Sequence, residues 1–191
     1  MRLRTIAKFV VFCRINKQSN GGNSELKVKE AVERCKQSGL AGIELIEYAQ
    51  RLVCSNMQYS YTNSFDLPCK AFKKGYGYCW QQASVLNRIL KKLGVESKLV
   101  YSTQNIFPEK LFNGVVVKEH MSGHVWCIVR CEGKEGDVCP GSIGNRFGKV
   151  HFKPISKIRT WNLFVCFFSY WGSAVVNYNR FAEIKRQSRK L

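Results

Sequence analysis

An apolar helical stripe that leads directly into a strand constrains the fold of this chain more than any other feature. From Cys79 onward, apolar residues recur at spacings of three and four, and Gly94 follows at a position typical of a helix end. Residues 95–102 and 124–131 then show the apolar and alternating patterns typical of strands. Predicted helices precede predicted antiparallel strands along the chain, which indicates an α+β fold.

Shorter patterns complete this prediction. Residues 25–37 and 43–54 carry helical stripes of their own. Residues 103–123 predict a loop-rich insertion that contains one short strand at 115–117. Residues 132–136 form a hairpin-type turn, so the residues after the turn are expected to pair with the strand before it.

Three regions are predicted along the chain. Residues 1–38 form a basic extension with a helix, residues 39–160 form the folded core, and residues 161–191 hold an apolar segment and a basic tail. The apolar segment, 161–176, has sixteen residues, fewer than the roughly 20 that span a bilayer. We therefore expect no transmembrane segment and expect this stretch to complete the core. Its basic flanks leave contact with a membrane surface as the alternative.

The charge of the chain is strongly positive and unevenly distributed. Lys and Arg number 31 against 13 Asp and Glu, a net charge of +18. The excess is +6 in residues 1–38 and +7 in residues 151–191, but only +1 in residues 99–150. Such a field attracts anionic partners. Because no nucleic-acid motif accompanies it, we predict no specific nucleic-acid binding, and an anionic surface contact through the basic termini.

Cysteine usage indicates a reducing compartment. The nine cysteines are odd in number, have irregular spacing and include no Cys-x-x-Cys pair, which favours free thiols over a disulfide framework. The apolar run near the start of the chain is interrupted by Lys8, is soon followed by Arg14, and lacks a small-residue cleavage site. We therefore expect no export signal and a cytoplasmic location.

Cys79 is the residue best placed for covalent chemistry. It stands at the start of the predicted helix, where unpaired backbone N–H groups and the helix dipole favour an anion. The same groups favour a thiolate and can stabilise an oxyanion when that thiolate attacks a carbonyl. His124, on a separate predicted strand, could serve as the base. The alternative is that Cys79 is a structural cysteine like the other eight.

Three sequence blocks in order resemble the transglutaminase-like superfamily. In residues 77–95, Gly-Tyr-Cys opens a helix, an Ala follows four residues after the Cys, and Leu-Gly-Val closes it, as in the nucleophile block of that family. His124-Val125-Trp126 is similar to its histidine strand, and residues 137–140 resemble its acid-bearing strand. The resemblance covers about residues 40–142 and implies a papain-like α+β core with a Cys/His/Asp triad.

The resemblance also implies a role for each residue. Cys79 would form a thioester with a carboxamide or peptide carbonyl of a protein or peptide substrate. His124 would take the thiol proton and later protonate the leaving amine. An amine or water would resolve the thioester, giving acyl transfer, deamidation or proteolysis. The competing hypothesis is a non-catalytic binding module that uses its basic termini to contact an anionic partner or membrane.

The third member of the triad departs from the family pattern. The family places its acid immediately before the proline, and here that position is Cys139. Asp137 lies two residues earlier, on the same strand face. A simple hairpin around Gly133 would put Asp137 nearer Val129 than His124, unless a bulge corrects the register. Asp137 is nevertheless the predicted acid, because it is the only carboxylate in the motif; otherwise another group orients His124.

The remaining candidates have more ordinary interpretations. Trp80 and Trp126 are expected to be core residues first and walls of a substrate cleft second. The His and Cys residues of the strand region could in principle assemble a zinc site. Their spacings match no familiar pattern, and strand alternation puts two of the cysteines on the face opposite His124, so we expect no metal and no cofactor. The residues considered for zinc are His120, His124, Cys127, Cys131 and Cys139.

Overall fold

The chain has an α+β architecture in which helices pack on one face of an antiparallel sheet. The computed structural model describes residues 27–60, 63, 66–112, 115–162, 164–168 and 171. The predicted fold class is confirmed. Most of the basic termini lie outside the described residues.

Three of the four helices in the described core follow the predicted stripes. The remaining helix, Pro68–Lys74, has only seven residues, too few to reveal a helical period in the sequence. It begins with Pro68 in its first turn, where a missing N–H costs nothing, and ends at Gly75 with a left-handed φ of 77°. The helices are α1 (Val28–Gln37), α2 (Gly42–Asn56), α3 (Pro68–Lys74) and α4 (Cys79–Lys92).

The strands form one main sheet and two small pairs. The main sheet has the order β7-β6-β3-β8, with β9 also paired to β3. Strands β1 and β2 pair in parallel, and β4 pairs with β5 in antiparallel fashion. The strands are β1 (Gln58–Tyr59), β2 (Tyr76–Gly77), β3 (Glu96–Phe107), β4 (Lys110–Phe112), β5 (Val115–Val117), β6 (His120–Cys131), β7 (Lys134–Val138), β8 (Lys153–Pro154) and β9 (Arg159–Thr160).

The insertion predicted at 103–123 is largely strand. Strands β3 and β6 continue through it, with a register shift between Ser102 and Asn105. The Asn105 side-chain amide donates to the backbone oxygens of Ser102 at 3.0 Å and Ser122 at 3.1 Å. The amide thus satisfies two backbone carbonyls beside the bulge, and the strands pair again from Asn105 onward. The short strand predicted at 115–117 is confirmed as β5.

The β6–β7 hairpin turns on two residues. Glu132 and Gly133 have positive φ values of 52° and 72°, as a tight hairpin turn that matches strand twist requires. The turn is therefore shorter than the one predicted at 132–136. Asp137 pairs with Ile128, and it is Gly136 that pairs with Val129. The register runs unshifted through all five pairs, so the ladder contains no bulge.

The two faces of β6 enter different clusters. Val125, Cys127 and Val129 face the helices, and the Cys127 thiol donates to the Ala83 carbonyl of α4 at 3.4 Å. Trp126 faces the other way, into a second cluster with Val100, Cys139 and Phe152. The strand alternation predicted from the sequence thus separates a helix-backed face from the face that carries the histidine.

The apolar segment after β9 divides between core and surface. Trp161 and Cys166 pack against the main core. Residues 164–168 are helical, and the Phe side chains in this stretch are exposed. Within the described ranges, no helix is long and apolar enough to cross a membrane.

Candidate functional site

Cys79 is the first residue of α4, and the chain around it is closely packed. A Cβ at Gly77 would displace the terminal methyl of Met57 and press on the Gln81 side chain, so glycine suits this close-packed position of β2. The Gln81 side-chain oxygen accepts the Tyr78 N–H at 3.1 Å and so caps the helix. The Gln82 side chain donates to the Met57 carbonyl at 2.6 Å. These contacts fix the helix start, and with it the Cys79 side chain, beside β1 and β2.

Three hydrogen-bond donors converge on the Cys79 thiol. They are the backbone N–H groups of Val125 and Trp80 and the hydroxyl of Tyr59. Burial raises the pKa of the Cys79 thiol, and these three contacts, together with the backbone of Cys79 itself, act in the opposite direction. The residue as a whole is partly exposed. A thiolate formed here would therefore be met by donors already in place.

His124 lies in a pocket of aromatic rings. Its ring is 4.5 Å from Phe152 and 5.3 Å from Phe107, both edge-on, and stacks on Trp126 at 6.1 Å. Only 6% of the residue is exposed. Burial, together with the nearby His151, lowers the pKa of His124 from 6.5 to about 3. The imidazole is therefore neutral at physiological pH.

Cys139 is the hydrogen-bond partner of the histidine. Its Sγ lies 3.2 Å from His124 Nε2. Burial raises the pKa of the Cys139 thiol to about 12, and nearby Cys79, Cys54 and Asp137 act in the same direction. Both members of the pair are thus uncharged at neutral pH. A thiol can donate or accept a hydrogen bond, whereas a carboxylate only accepts, so Cys139 does not fix the histidine tautomer as an acid would.

The hairpin register explains why Cys139, rather than Asp137, meets the histidine. Asp137 stands opposite Ile128, but its Oδ1 accepts the indole N–H of Trp126, one same-face position farther from the turn, at 2.7 Å. Continued by two residues, the same register puts Cys139 opposite Trp126, and the same diagonal offset brings it to His124. The position before the proline is therefore the one that reaches the histidine, and this chain has a thiol there.

A polar network holds the Cys139 segment in place. The Asn145 side-chain amide donates to the Cys139 carbonyl at 2.8 Å and lies 2.9 Å from His151 Nδ1. The Asn145 carbonyl in turn accepts from the buried Gln50 side chain of α2 at 2.9 Å. Gly141 N–H donates to Cys139 Sγ at 3.4 Å. The loop after β7 is thereby tied to the helical layer.

The predicted site residues do not all meet. The Cys79 thiol accepts a hydrogen bond from the backbone of Val125, the residue after His124. No hydrogen bond joins the described side chains of Cys79 and His124 themselves. Trp126 walls the His124 pocket and is fully buried. Trp80, 8% exposed, stacks on Trp161 at 6.2 Å. That these two tryptophans bind substrate stays a prediction, as does the role of Asp137.

Sequence reasoning missed several residues of this site. Tyr59 reaches Cys79 only because β1 pairs with β2, with Tyr59 opposite Gly77, and a two-residue strand leaves no period in the sequence. Phe107 and Phe152 come from segments without a recognisable motif. The sequence does place Cys139 at the position that the family gives to its acid, but the contact of its thiol with His124 was not predicted.

No metal centre accompanies the pair in the described part of the chain, where no three His, Cys, Asp or Glu side chains are close enough to hold an ion. The eight cysteines described there are free thiols: Cys35, Cys54, Cys69, Cys79, Cys127, Cys131, Cys139 and Cys166.

Comparison with known proteins identifies a family. A family model described as the transglutaminase-like superfamily matches residues 29–135. No curated protein matches the chain. Among solved structures, a TGase is 13% identical with a TM-score of 0.45, covering 73% of this chain and 39% of its own.

Two bacterial structures are similar to the same degree. A candidate cysteine protease from Cytophaga hutchinsonii is 10% identical with a TM-score of 0.43, over 76% of this chain and 55% of its own. A candidate protease from Parabacteroides distasonis is 13% identical with a TM-score of 0.42, over 69% of this chain and 26% of its own. The chain thus spans between 26% and 55% of the length of the three structures compared.

Proposed function

Because the chain belongs to the transglutaminase-like superfamily, we propose that it is a cysteine enzyme in which Cys79 is the nucleophile and His124 is its base. The observation that carries the proposal is the setting of the Cys79 thiol. The residue is partly exposed at a helix start, its thiol receives hydrogen bonds from three other residues, and one of these is the residue that follows His124.

The chemistry follows from these positions. As Cys79 Sγ bonds to the carbonyl carbon of a carboxamide or peptide, its proton passes to the imidazole of His124. The carbon–nitrogen bond then breaks, and the leaving ammonia or amine takes that proton, which leaves a thioester on Cys79. An incoming amine gives acyl transfer, and water gives deamidation or proteolysis. For this transfer, the His124 imidazole must lie within hydrogen-bond reach of the Cys79 thiol in the reacting complex.

Cys139 governs how readily the first step occurs. For His124 to act on Cys79 through Nδ1, its Nε2 must carry the proton and donate it to Cys139 Sγ, a weak acceptor. A neutral thiol also gives little stabilisation to the imidazolium that forms. We therefore expect Cys79 to rest as a thiol and to lose its proton only during attack, so that the enzyme works slowly.

The pairing of Cys139 with His124 favours a second candidate function. A fold kept only for binding would tolerate a thiol in the position that the family gives to its acid. It would equally tolerate a histidine whose pKa is lowered to about 3. In that case Cys79 would be an ordinary cysteine and the chain a non-catalytic binding module.

Site-resolved alkylation separates the two candidates. With limiting iodoacetamide at pH 7.5, the enzyme proposal expects Cys79 to be modified ahead of the other eight cysteines, because His124 takes the thiol proton as the sulfur attacks the reagent. It further expects His124→Ala to slow modification about tenfold. His120→Ala is the matched control, because His120 is an exposed histidine on the same strand. Labelling that follows exposure alone, unchanged by His124→Ala in a variant with native circular dichroism, would support the binding module.

The fate of the thioester is read from product masses. The wild-type chain and Cys79→Ala are incubated with glutamine peptides, with and without a primary amine. An amine adduct identifies transfer, a gain of about one mass unit identifies deamidation, and fragments identify proteolysis. Product formation that persists in Cys79→Ala would exclude Cys79 as the nucleophile.

A further inference from the structure

An aromatic stripe lies exposed at the end of the described chain. Phe164, Phe167, Phe168 and Trp171 occur at the helical spacings i, i+3, i+4 and i+7, so they share one face. They are 72%, 58%, 58% and 56% exposed. We call these four residues the aromatic stripe. An apolar helical face normally points into a core, and this one points to solvent.

The rings of the aromatic stripe form one continuous surface. Phe164 and Phe168 are 4.8 Å apart, Phe167 and Phe168 are 5.8 Å apart, and Phe167 and Trp171 are 6.1 Å apart between ring centroids. Other exposed apolar side chains precede it in the described chain, among them Ile143, Ile155 and Ile158. The four rings of the stripe are contiguous, and exposed apolar surface of this kind marks an interaction site.

Positive charge flanks the aromatic stripe. Lys153, Lys157 and Arg159 are all exposed on the segment that leads to it. The sequence has no Asp or Glu from residue 138 to residue 171. A partner for this region must therefore combine negative charge with an apolar interior.

The aromatic stripe is also anchored next to the candidate site. The Trp161 ring stacks on Trp80, the neighbour of Cys79. The backbone N–H of Trp161 donates to the Leu99 carbonyl of β3 at 2.9 Å. The Asn162 side-chain oxygen then accepts the Val165 N–H at 2.9 Å and caps the helical turn. The stripe thus leaves the folded core at a defined point.

We propose that the aromatic stripe and the adjacent Lys153, Lys157 and Arg159 dock on an anionic lipid membrane surface. Phe and Trp side chains enter the boundary between headgroups and acyl chains, while Lys and Arg contact acidic headgroups. Stacking on single-stranded nucleic acid fits less well, because the rings of the stripe pack against one another instead of presenting separate faces. This proposal is independent of the chemistry assigned to Cys79.

Vesicle binding tests the proposal on the full chain. The chain is sedimented with vesicles of phosphatidylcholine containing 30% phosphatidylserine, and with pure phosphatidylcholine. Binding to the anionic vesicles alone is expected, with a blue shift of Trp171 emission. Trp171 is the most exposed of the four tryptophans, so subtracting the Trp171→Phe spectrum isolates its signal. Equal affinity for both vesicles, or no binding to either, would overturn the proposal.

Two pairs of variants locate the surface. Phe164→Ser/Phe168→Ser should lower vesicle affinity about tenfold, whereas Leu67→Ser, which alters a residue 73% exposed elsewhere, should leave it unchanged. Replacing Lys153, Lys157 and Arg159 by Gln should lower it roughly a hundredfold. The matched control replaces Lys73, Lys91 and Lys92, which removes the same charge from exposed positions on the helices.

The outcomes distinguish the possible occupants of the aromatic stripe. An equal loss in both charge variants would mean that only net charge matters and would overturn the assignment to this surface. Tight binding of a single-stranded oligonucleotide that the Phe variant abolishes, without vesicle binding, would assign the stripe to nucleic acid. Dimerisation lost in the Phe variant would assign it to a second copy of the chain.

Discussion

Two thiols flank the histidine strand, and their surroundings differ. Cys79 is partly exposed and accepts hydrogen bonds from Val125, Trp80 and Tyr59. Cys139 is 1% exposed and enclosed with His124 among aromatic rings. Burial raises the pKa of both thiols. Hydrogen bonds from three other residues oppose this at Cys79, whereas at Cys139 the Gly141 backbone opposes it and nearby Cys79, Cys54 and Asp137 reinforce it. The same functional group thus accepts several hydrogen bonds at one position and is packed among aromatic rings at the other.

The largest expected effect concerns the pocket that isolates His124. Trp126→Ala removes a fully buried indole from the wall of that pocket and should lower the free energy of unfolding by ~3–5 kcal/mol. Trp171→Ala, the matched change at a residue 56% exposed, should alter it by less than ~0.5 kcal/mol. Urea denaturation measures both, and equal losses would show that the two tryptophans do not differ in packing as described.

Cys139→Asp should increase the reactivity of Cys79 by making His124 a stronger base. A carboxylate at this position would raise the pKa of His124 by roughly two units, worth ~2.7 kcal/mol, and would hold the tautomer that serves Cys79. Alkylation of Cys79 at pH 7 should then be about tenfold faster. Cys139→Ser, which restores no charge, is the control. A rate equal in both variants would argue against Cys139 as the partner that limits His124.

The neutral histidine should also destabilise the fold in acid. Because the folded pKa of His124 is about 3 and its ordinary value is 6.5, the unfolded chain binds more protons between these values. The free energy of unfolding therefore falls as pH decreases through that interval, by at most ~1.4 kcal/mol per pH unit from this group. Wild type and His124→Gln are compared by urea denaturation at several pH values, and parallel curves would contradict the shift.

The smallest effect is expected at Asp137. Asp137→Asn keeps an oxygen that can accept the Trp126 indole N–H, so stability should fall by only ~1 kcal/mol. Cys79 alkylation should change less than about threefold, because the Asp137 carboxylate contacts Trp126 instead of the histidine. A loss of a hundredfold or more in alkylation rate would instead establish Asp137 as the acid of a triad.

The region around Cys79 could be predicted because its signals are local. The helix that begins at Cys79, the glycine that ends it and the strand of His124 are each specified by a period or a turn residue within a few positions. The hairpin after β6 is local as well, and its two-residue turn pairs Asp137 with Ile128, next to Val129 and away from His124, as expected for a simple hairpin.

The surroundings of the histidine could not be predicted because they are assembled from distant segments. Phe107 lies beyond a bulge, Phe152 comes from the loop before β8, and Tyr59 depends on a pair of two-residue strands. No periodicity in the sequence records such contacts. The exposed aromatic stripe is a further case, since an apolar run predicts burial and only the folded structure shows that these side chains face solvent.

The titration of His124 tests the central claim, that a neutral thiol–imidazole pair occupies the place of a histidine and its acid. The three histidines are followed by NMR of the wild-type chain, and loss of one signal in His124→Gln assigns the resonance. The imidazole of His124 should remain neutral down to at least about pH 4, in keeping with a pKa of about 3. A midpoint at or above its ordinary 6.5 would show a charged partner at the histidine and would contradict this account of the site.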